Sequence, residues 1–269
     1  MQANAASSGP RGSVAEAGGG GAWTCDYAGA LPGADNMQRD EACARLLHDA
    51  PGHALPSVLR FYRWSPWAIS LGHHQSFDDI DTARCAADGI DVVRRPTGGR
   101  AILHAEELTY CVCMYAGRRS VLNVYNDISR ALVLGLQHFG VTVTLEKSQP
   151  DFREAYRHAS SIPCFTSSAR YEIAWQGRKL VGSAQRRFGD GERDVVLQHG
   201  SILCGPAHKR LTEYLRMEDA ALRARVRRDM ERKTVDLQEI TGGAVDADHL
   251  AACMKLGFEE AWGITCDPA

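Results

Sequence analysis

The sequence predicts an α/β (α+β) domain, a mixed β-sheet with helices packed on it. Three observations lead there. Runs rich in aromatic and branched residues are interleaved with segments of helical periodicity. Gly98-Gly99 and Gln176-Gly177 stand as turn signals between strand-like runs. A chain of 269 residues with 44% hydrophobic content is long enough to bury a full core.

In chain order, residues 1–22 are rich in Ala, Gly and Ser with Arg11 alone as a charged base, and read as a disordered tail before a single domain over 23–269. Asp35 with Gln38 three residues later signals a helix over about 36–49, carried by Met37, Ala44 and Leu47 and stopped by Pro51-Gly52. Val58 to Trp64 and Ala68 to Leu71 read as strands, Thr82 to Ala87 as a short helix, and Asp91 to Arg95 as a strand entering the double-glycine turn. Ala101 to Leu103 and Leu108 to Tyr115 continue the sheet. After Ser120, the stripe Val121, Val124, Ile128, Leu132 and Phe139 marks a core-facing helix ended by Gly140. Val141 to Leu145 reads as a strand and the run around Gln149 to Ile162 as a loop. Tyr171 to Trp175 and Arg178 to Val181 form a hairpin about Gln176-Gly177, and Val195 to Leu203 a further strand. Beyond Pro206 the chain is mainly helical, and Arg223 to Lys233 reads as a solvated helix face.

Nine cysteines, an odd number without a Cys-x-x-Cys pair, fit reduced thiols and a cytoplasmic location better than a disulfide framework. Cys111 and Cys113 alternate within a strand, and His73-His74 would point to opposite faces, so no metal site is expected. No apolar run reaches the roughly 18 residues of a membrane span. A formal net charge of -2 gives no global reason to expect nucleic-acid binding. The local clusters Arg94, Arg95, Arg100; Arg118, Arg119; and Arg186, Arg187 would suit an acidic protein partner.

The richest stretch is Arg94-Arg95-Pro96-Thr97-Gly98-Gly99-Arg100-Ala101-Ile102-Leu103-His104, followed by Glu107-Leu108-Thr109-Tyr110. Paired glycines let a backbone turn tightly against a ligand, and arginines offer donors to an anionic or carbonyl group. The turn alone is read equally well as an ordinary hairpin with solvated arginines. A second block starts at Cys164-Phe165 and runs through Tyr171-Glu172-Ile173 and Gly177-Arg178-Lys179-Leu180-Val181-Gly182-Ser183-Ala184-Gln185 to Leu197-Gln198-His199-Gly200-Ser201. Cysteine is the strongest nucleophile available near neutral pH once it is a thiolate. Lys179 is the candidate partner: as ammonium it would stabilise that thiolate, and in its neutral form it could take a proton from an attacking amine.

Together the two blocks, over residues 35–262, resemble the biotin/lipoate A/B protein ligase and transferase family, most closely its cysteine-dependent octanoyltransferases. The resemblance implies the catalytic fold of the lipoate and biotin ligases. It also implies an acyltransferase that moves an octanoyl group from octanoyl acyl carrier protein, through a cysteine thioester, to a lysine of a lipoyl domain such as glycine cleavage H protein or a 2-oxoacid dehydrogenase E2. By position, Cys164 would be the nucleophile and Lys179 the family lysine. Arg94, Gly98, Gly99, Arg100 and His104 would line the acyl and thioester end, with Gly182, Ser183, Ala184 and His199 beside the chain. His104 and His199 are read equally well as core histidines that satisfy buried groups. No metal, nucleotide or other cofactor is required, since the thioester is already activated.

Three alternatives stay open at this point: an ATP-dependent lipoate protein ligase, an enzyme moving the acyl group between lipoyl domains, and a non-catalytic lipoyl-domain binder. Against the ligase stand the Cys164-Phe165 pair and an expectation that no accessory domain follows the helix at 257–262.

Overall fold

The computed structural model describes residues 21–146, 172–189, 191 and 194–268. The expected tail, apart from residues 21 and 22, the expected loop at 149–162 and Cys164 lie outside the described residues.

A large mixed sheet is the backbone of the fold. Its strands are β1 (Trp23–Leu31), β2 (Ser57–Trp64), β6 (Glu107–Tyr115), β7 (Thr144–Glu146), β8 (Glu172–Trp175), β9 (Arg178–Phe188), β10 (Val195–Leu203) and β11 (Cys266–Pro268). They lie in the order β11-β1-β2-β6-β10-β9-β8-β7. β1 runs parallel to β2 and β11, and the other neighbours are antiparallel. A second, three-stranded sheet holds β4 (Asp91–Arg94), β3 (Ala68–Leu71) and β5 (Ile102–His104) in that order.

Helix α1 (Gly33–Asp49) starts ahead of the Asp35 signal. Pro32 takes the N-cap position without a side-chain cap, and the Gly33 N–H donates to Asp91 Oδ2 at 3.2 Å. Asp35 therefore sits inside the first turn, where a carboxylate still suits the positive end of the helix. α1 buries Met37, Ala44 and Leu47 against Tyr62, Trp64, Cys111 and Cys113 on one face of the large sheet. On the other face, α3 (Val121–His138) packs with a helix near the C-terminus, α6 (Ala247–Trp262). A Cβ on Gly257 would stand 2.2 Å from the Gly135 backbone nitrogen, so the two helices meet backbone to backbone. α2 (Thr82–Ala87) and α4 (Ala220–Lys233) cover the small sheet together with the 3₁₀ segment Pro206–Glu213, sharing a core of Ile69, Leu71, Leu103, Leu211 and Met230. α5 (Leu237–Thr241) links α4 to α6.

Two expectations change. β9 continues to Phe188 rather than ending at Val181, because its small residues pair with β10 through His199, Gly200 and Ser201. The C-terminal region is mainly helical as expected, with the addition of β11, which returns to extend the sheet beside β1, a strand that carries little periodic signal. The segment between β4 and β5 is no hairpin, since β3 lies between those strands. The Gln176-Gly177 turn is as expected, with φ of 49° and 73° at the two central residues.

Candidate active site

A narrow cleft opens between the large sheet, the small sheet and α1. Met37, Tyr62, Trp64 and Ile102 give it apolar walls, and Gly182, Ser183, Ala184 and Gly200 form its strand floor. Ser70, Arg95, His104, Thr109, His199 and Ser201 supply its polar atoms. Register explains the convergence. Gly182, Ser201 and Thr109 stand in one cross-strand row and Ala184, His199 and Cys111 in another, and residues of one row project to the same face. The sheet is tight here: a Cβ on Gly200 would lie 2.4 Å from the Gly182 carbonyl oxygen. Tyr110 donates its hydroxyl proton to Ser183 Oγ at 2.7 Å.

Both histidines of the cleft are buried and anchored on a carboxylate. His104 stacks on Trp64 with ring centroids 4.0 Å apart, and its Nδ1 lies 2.8 Å from Glu107 Oε1. Arg95 Nη1 donates to Ser70 Oγ at 3.0 Å, which leaves the Ser70 proton for His104 Nε2 at 2.7 Å. That network assigns His104 the Nδ1–H tautomer. Thr109 and Ser201 also donate to Glu107 Oε1, at 2.6 and 2.8 Å. Burial pushes the Glu107 carboxyl upward, but His104 and the two hydroxyls outweigh it and hold it below the ordinary 4.5.

His199 repeats the pattern across the cleft. Its Nδ1 meets Asp40 Oδ2 at 2.8 Å and its Nε2 meets Thr97 Oγ1 at 2.7 Å. Burial is the largest influence on this imidazole and draws its pKa below 6.5 in spite of Asp40, so the ring is neutral, with its proton on Nδ1. Asp40 is fully buried on α1 and also accepts from Tyr62 at 2.7 Å and from Arg60. The two readings of these histidines therefore merge: each satisfies buried groups and each lines the cleft.

Five sequence-predicted residues stand elsewhere. Arg94 spends its Nη1 on the carbonyls of Gly72, His73 and Gln75, at 3.0, 2.9 and 2.8 Å, and lies over the Phe77 ring. Gly98 and Gly99 do not line the cleft: Gly99 adopts φ 96° and crosses so close to Gly72 that a Cβ there would lie 2.1 Å from the Gly99 oxygen. Arg100 likewise does not line it, and contributes its carbonyl to Arg95 Nη2 at 2.8 Å. Arg95 is the arginine that matters structurally. Only 2% exposed, it ties the carbonyls of Ser70, Gly98 and Arg100 together. Lys179 is buried near the start of β9, three residues before Gly182, and its carbonyl accepts the Val235 N–H at 3.0 Å. It is not part of the cleft lining. Asp40, Arg95 and Glu107 were missed as site residues. The Glu107 and Thr109 spacing on one strand face was the available signal, whereas nothing local marks Asp40 as a partner of a residue 159 positions away.

Residues 32–259 match the lipoyl protein ligase A/B catalytic domain. The chain belongs to that family. Among curated lipoyl ligase A/B relatives, the octanoyltransferase LipM of Kyrpidia tusciae is 37% identical over 251 residues, spanning 91% of this chain and 89% of that protein. The octanoyltransferase LipM of Bacillus subtilis is 31% identical, with 91% and 88% covered. Among solved structures, the bipartite lipoate protein ligase of Thermoplasma acidophilum superposes with a TM-score of 0.72 at 19% identity, covering 92% of this chain and 86% of that one. Lipoate-protein ligase A bound with ATP gives 0.68 at 17% identity, covering 93% and 88%. The mixed sheet with packed helices is thus the lipoate protein ligase fold. Among the described residues no helix is long and apolar enough to cross a membrane.

Proposed function

We propose that the protein is an octanoyltransferase of lipoate biosynthesis, taking the octanoyl group from octanoyl acyl carrier protein and delivering it to a lysine of a lipoyl domain. Similarity along nearly the whole chain to proteins named octanoyltransferase LipM carries this reading. The cleft agrees with it in character. An eight-carbon chain finds apolar walls and small floor residues, and its burial stabilises the complex by about 0.8 kcal/mol per methylene.

In the proposed sequence the Cys164 thiolate attacks the thioester carbonyl, a tetrahedral oxyanion forms, and the carrier's thiolate leaves as the acyl-enzyme is made. The lipoyl lysine then attacks the new thioester, Lys179 takes the amine proton, and Cys164 is released. β8 pairs only with the Arg178–Val181 part of β9, so from Gly182 onward that edge of β9 has no strand partner among the described residues. Its amides are the candidate oxyanion donors. Several of the described thiols are poor nucleophiles. Burial pushes Cys85 up to about 11 and Cys111 and Cys204 up to about 12. Cys25 is lowered by its hydrogen bond with Cys266, but it lies on β1, near the edge of the sheet.

The test is incubation with octanoyl carrier protein and apo lipoyl domain, with and without ATP, followed by the intact mass of every component. Transfer in nucleotide-free buffer is expected. Strict dependence on ATP with free octanoate or lipoate would overturn the transferase reading and favour a ligase.

A further inference from the structure

Helix α4 concentrates positive charge on a chain that is slightly acidic overall. It carries Arg223, Arg225, Arg227, Arg228, Arg232 and Lys233 against Asp229 and Glu231, while the full chain has a formal net charge of -2. Val226 and Met230 bury one side of the helix in the core beneath the small sheet. On the outward side Arg225, Arg228 and Arg232 follow each other at i, i+3 and i+7, one above the next, and all three are exposed. Arg225 and Arg228 have no carboxylate within ion-pair distance among the described residues, and Arg232 meets only Asp229, at 3.0 Å. Like charges at this spacing weaken a helix, so the stripe has a cost in the isolated protein.

The other basic clusters are occupied. Arg187 is ion-paired with Asp194 and donates to the Arg119 carbonyl at 2.6 Å. Arg186 donates to the Pro96 carbonyl at 3.1 Å and lies over Phe188. Arg119 pairs with Asp127 at 2.7 Å. The expectation that Arg186 and Arg187 face an acidic partner is therefore replaced by one for α4.

The position of α4 links the stripe to the chemistry. At its C-terminal end Thr234 forms a β-bridge with Lys179, and the next residue donates its N–H to the Lys179 carbonyl. Fourteen residues at 1.5 Å each make the helix about 21 Å long. A protein lying along the stripe would thus sit within the reach of an extended phosphopantetheine arm from Lys179.

We propose that the Arg225, Arg228 and Arg232 stripe is the docking surface for the acidic acyl carrier protein that brings the octanoyl thioester. The proposal rests on the transferase reading, because only a carrier-bound substrate needs a protein-docking surface at the donor step. Charge complementarity of this kind acts on encounter more than on chemistry.

Two variants test it, Arg225→Glu/Arg228→Glu/Arg232→Glu and the milder triple alanine, both checked for folding by circular dichroism and thermal melting. Binding of fluorescently labelled octanoyl carrier protein should weaken at least about tenfold in the charge-reversed variant at low salt, with the gap closing at high salt. The alanine variant should fall between. Acylation by octanoyl carrier protein should slow in parallel, while acylation by octanoyl-N-acetylcysteamine, a small uncharged thioester, should be unchanged. Unaltered carrier binding, an equal loss with the small thioester, or a loss confined to transfer onto the lipoyl domain would each overturn the proposal. If wild-type protein accepts octanoate from neither thioester, the transferase reading fails by itself, and the binding measurement still decides the docking surface.

Discussion

Replacing Asp40 by Asn changes almost no volume yet removes a buried charge on which three donors converge. Oδ1 accepts from Arg60, and Oδ2 accepts from Tyr62 and from His199 Nδ1. An amide cannot satisfy this arrangement in either orientation. With its NH₂ at the Oδ2 position it faces the His199 Nδ1–H, and with its NH₂ at Oδ1 it faces the Arg60 guanidinium. A His199 tautomer switch would relieve the first conflict only by forfeiting the acceptor that Thr97 uses. Arg60 is 4% exposed and keeps only Asp26, at 3.2 Å. Breaking a buried ion pair from one side costs about 3–5 kcal/mol, and the isosteric amide belongs at the lower end. For a chain of this size that corresponds to a melting-temperature drop of roughly 6–12 °C. Urea and thermal unfolding followed by circular dichroism would measure it, with Arg45→Ala as control, since the exposed Arg45–Glu41 pair should contribute under about 1 kcal/mol. An Asp40→Asn protein that melts within about 2 °C of wild type would refute the argument.

Cys164→Ala should abolish both a covalent octanoyl adduct and transfer, whereas alanine at Cys43, Cys85, Cys111, Cys113 or Cys204 should leave the adduct intact; intact mass and peptide mapping report it, and an acyl group found on another cysteine would discard the mechanism. Lys179→Arg keeps the charge but not a base near neutral pH, so single-turnover transfer to the lipoyl domain should fall at least about a hundredfold, and a near-normal rate would remove Lys179 from proton transfer. Gly257→Ala should lower stability by about 1–3 kcal/mol or prevent folding, because the α3 and α6 backbones must part, which chemical denaturation would show. His208 is held neutral mainly by burial, with its pKa lowered from 6.5 to about 4. Below pH 6.5 the unfolded chain takes up a proton that the folded chain refuses, so stability falls as pH drops, by roughly 3 kcal/mol on reaching pH 4. Unfolding free energies between pH 7 and 4 should show a shallower fall in His208→Gln, and an identical slope would reject the assignment.

The long helices and most strands were legible because their periodicity is local. Ser120 caps α3 as its sequence suggests, accepting from the Asn123 N–H at 3.1 Å, and Gly140 takes the positive φ that ends it. β11 was illegible because a three-residue parallel edge strand has meaning only beside its partner, and β1 because its run carries little alternation of apolar and polar residues. Gly182, Ser183, Ala184, His104 and His199 were singled out because small residues and histidines on paired strands stand out in a sequence, and all five line the cleft. The arginines were misjudged for a different reason. Spacing shows where cations lie along the chain but not which carbonyls they meet, and Arg94 and Arg95 are both consumed by carbonyls of the segment 70–75 and of the loop itself.

Because Asp40 and Glu107 each claim an imidazole Nδ1–H, and Thr97 and Ser70 each cover an Nε2, neither histidine has a nitrogen left to offer a guest. The hydroxyls of Thr109 and Ser201 are likewise committed to Glu107. A saturated hydrocarbon tail can enter without displacing any of these bonds. A tail bearing a hydroxyl against these side chains would lose its water and gain no replacement from them, at a cost of about 1–3 kcal/mol, whereas the Ser183 hydroxyl and the unpaired amide edge of β9 on the floor stay open among the described residues. On the histidine side of the cleft, a preference for a fully reduced chain over a hydroxylated one would then follow from polar atoms already engaged with one another, with no group dedicated to rejecting the wrong substrate.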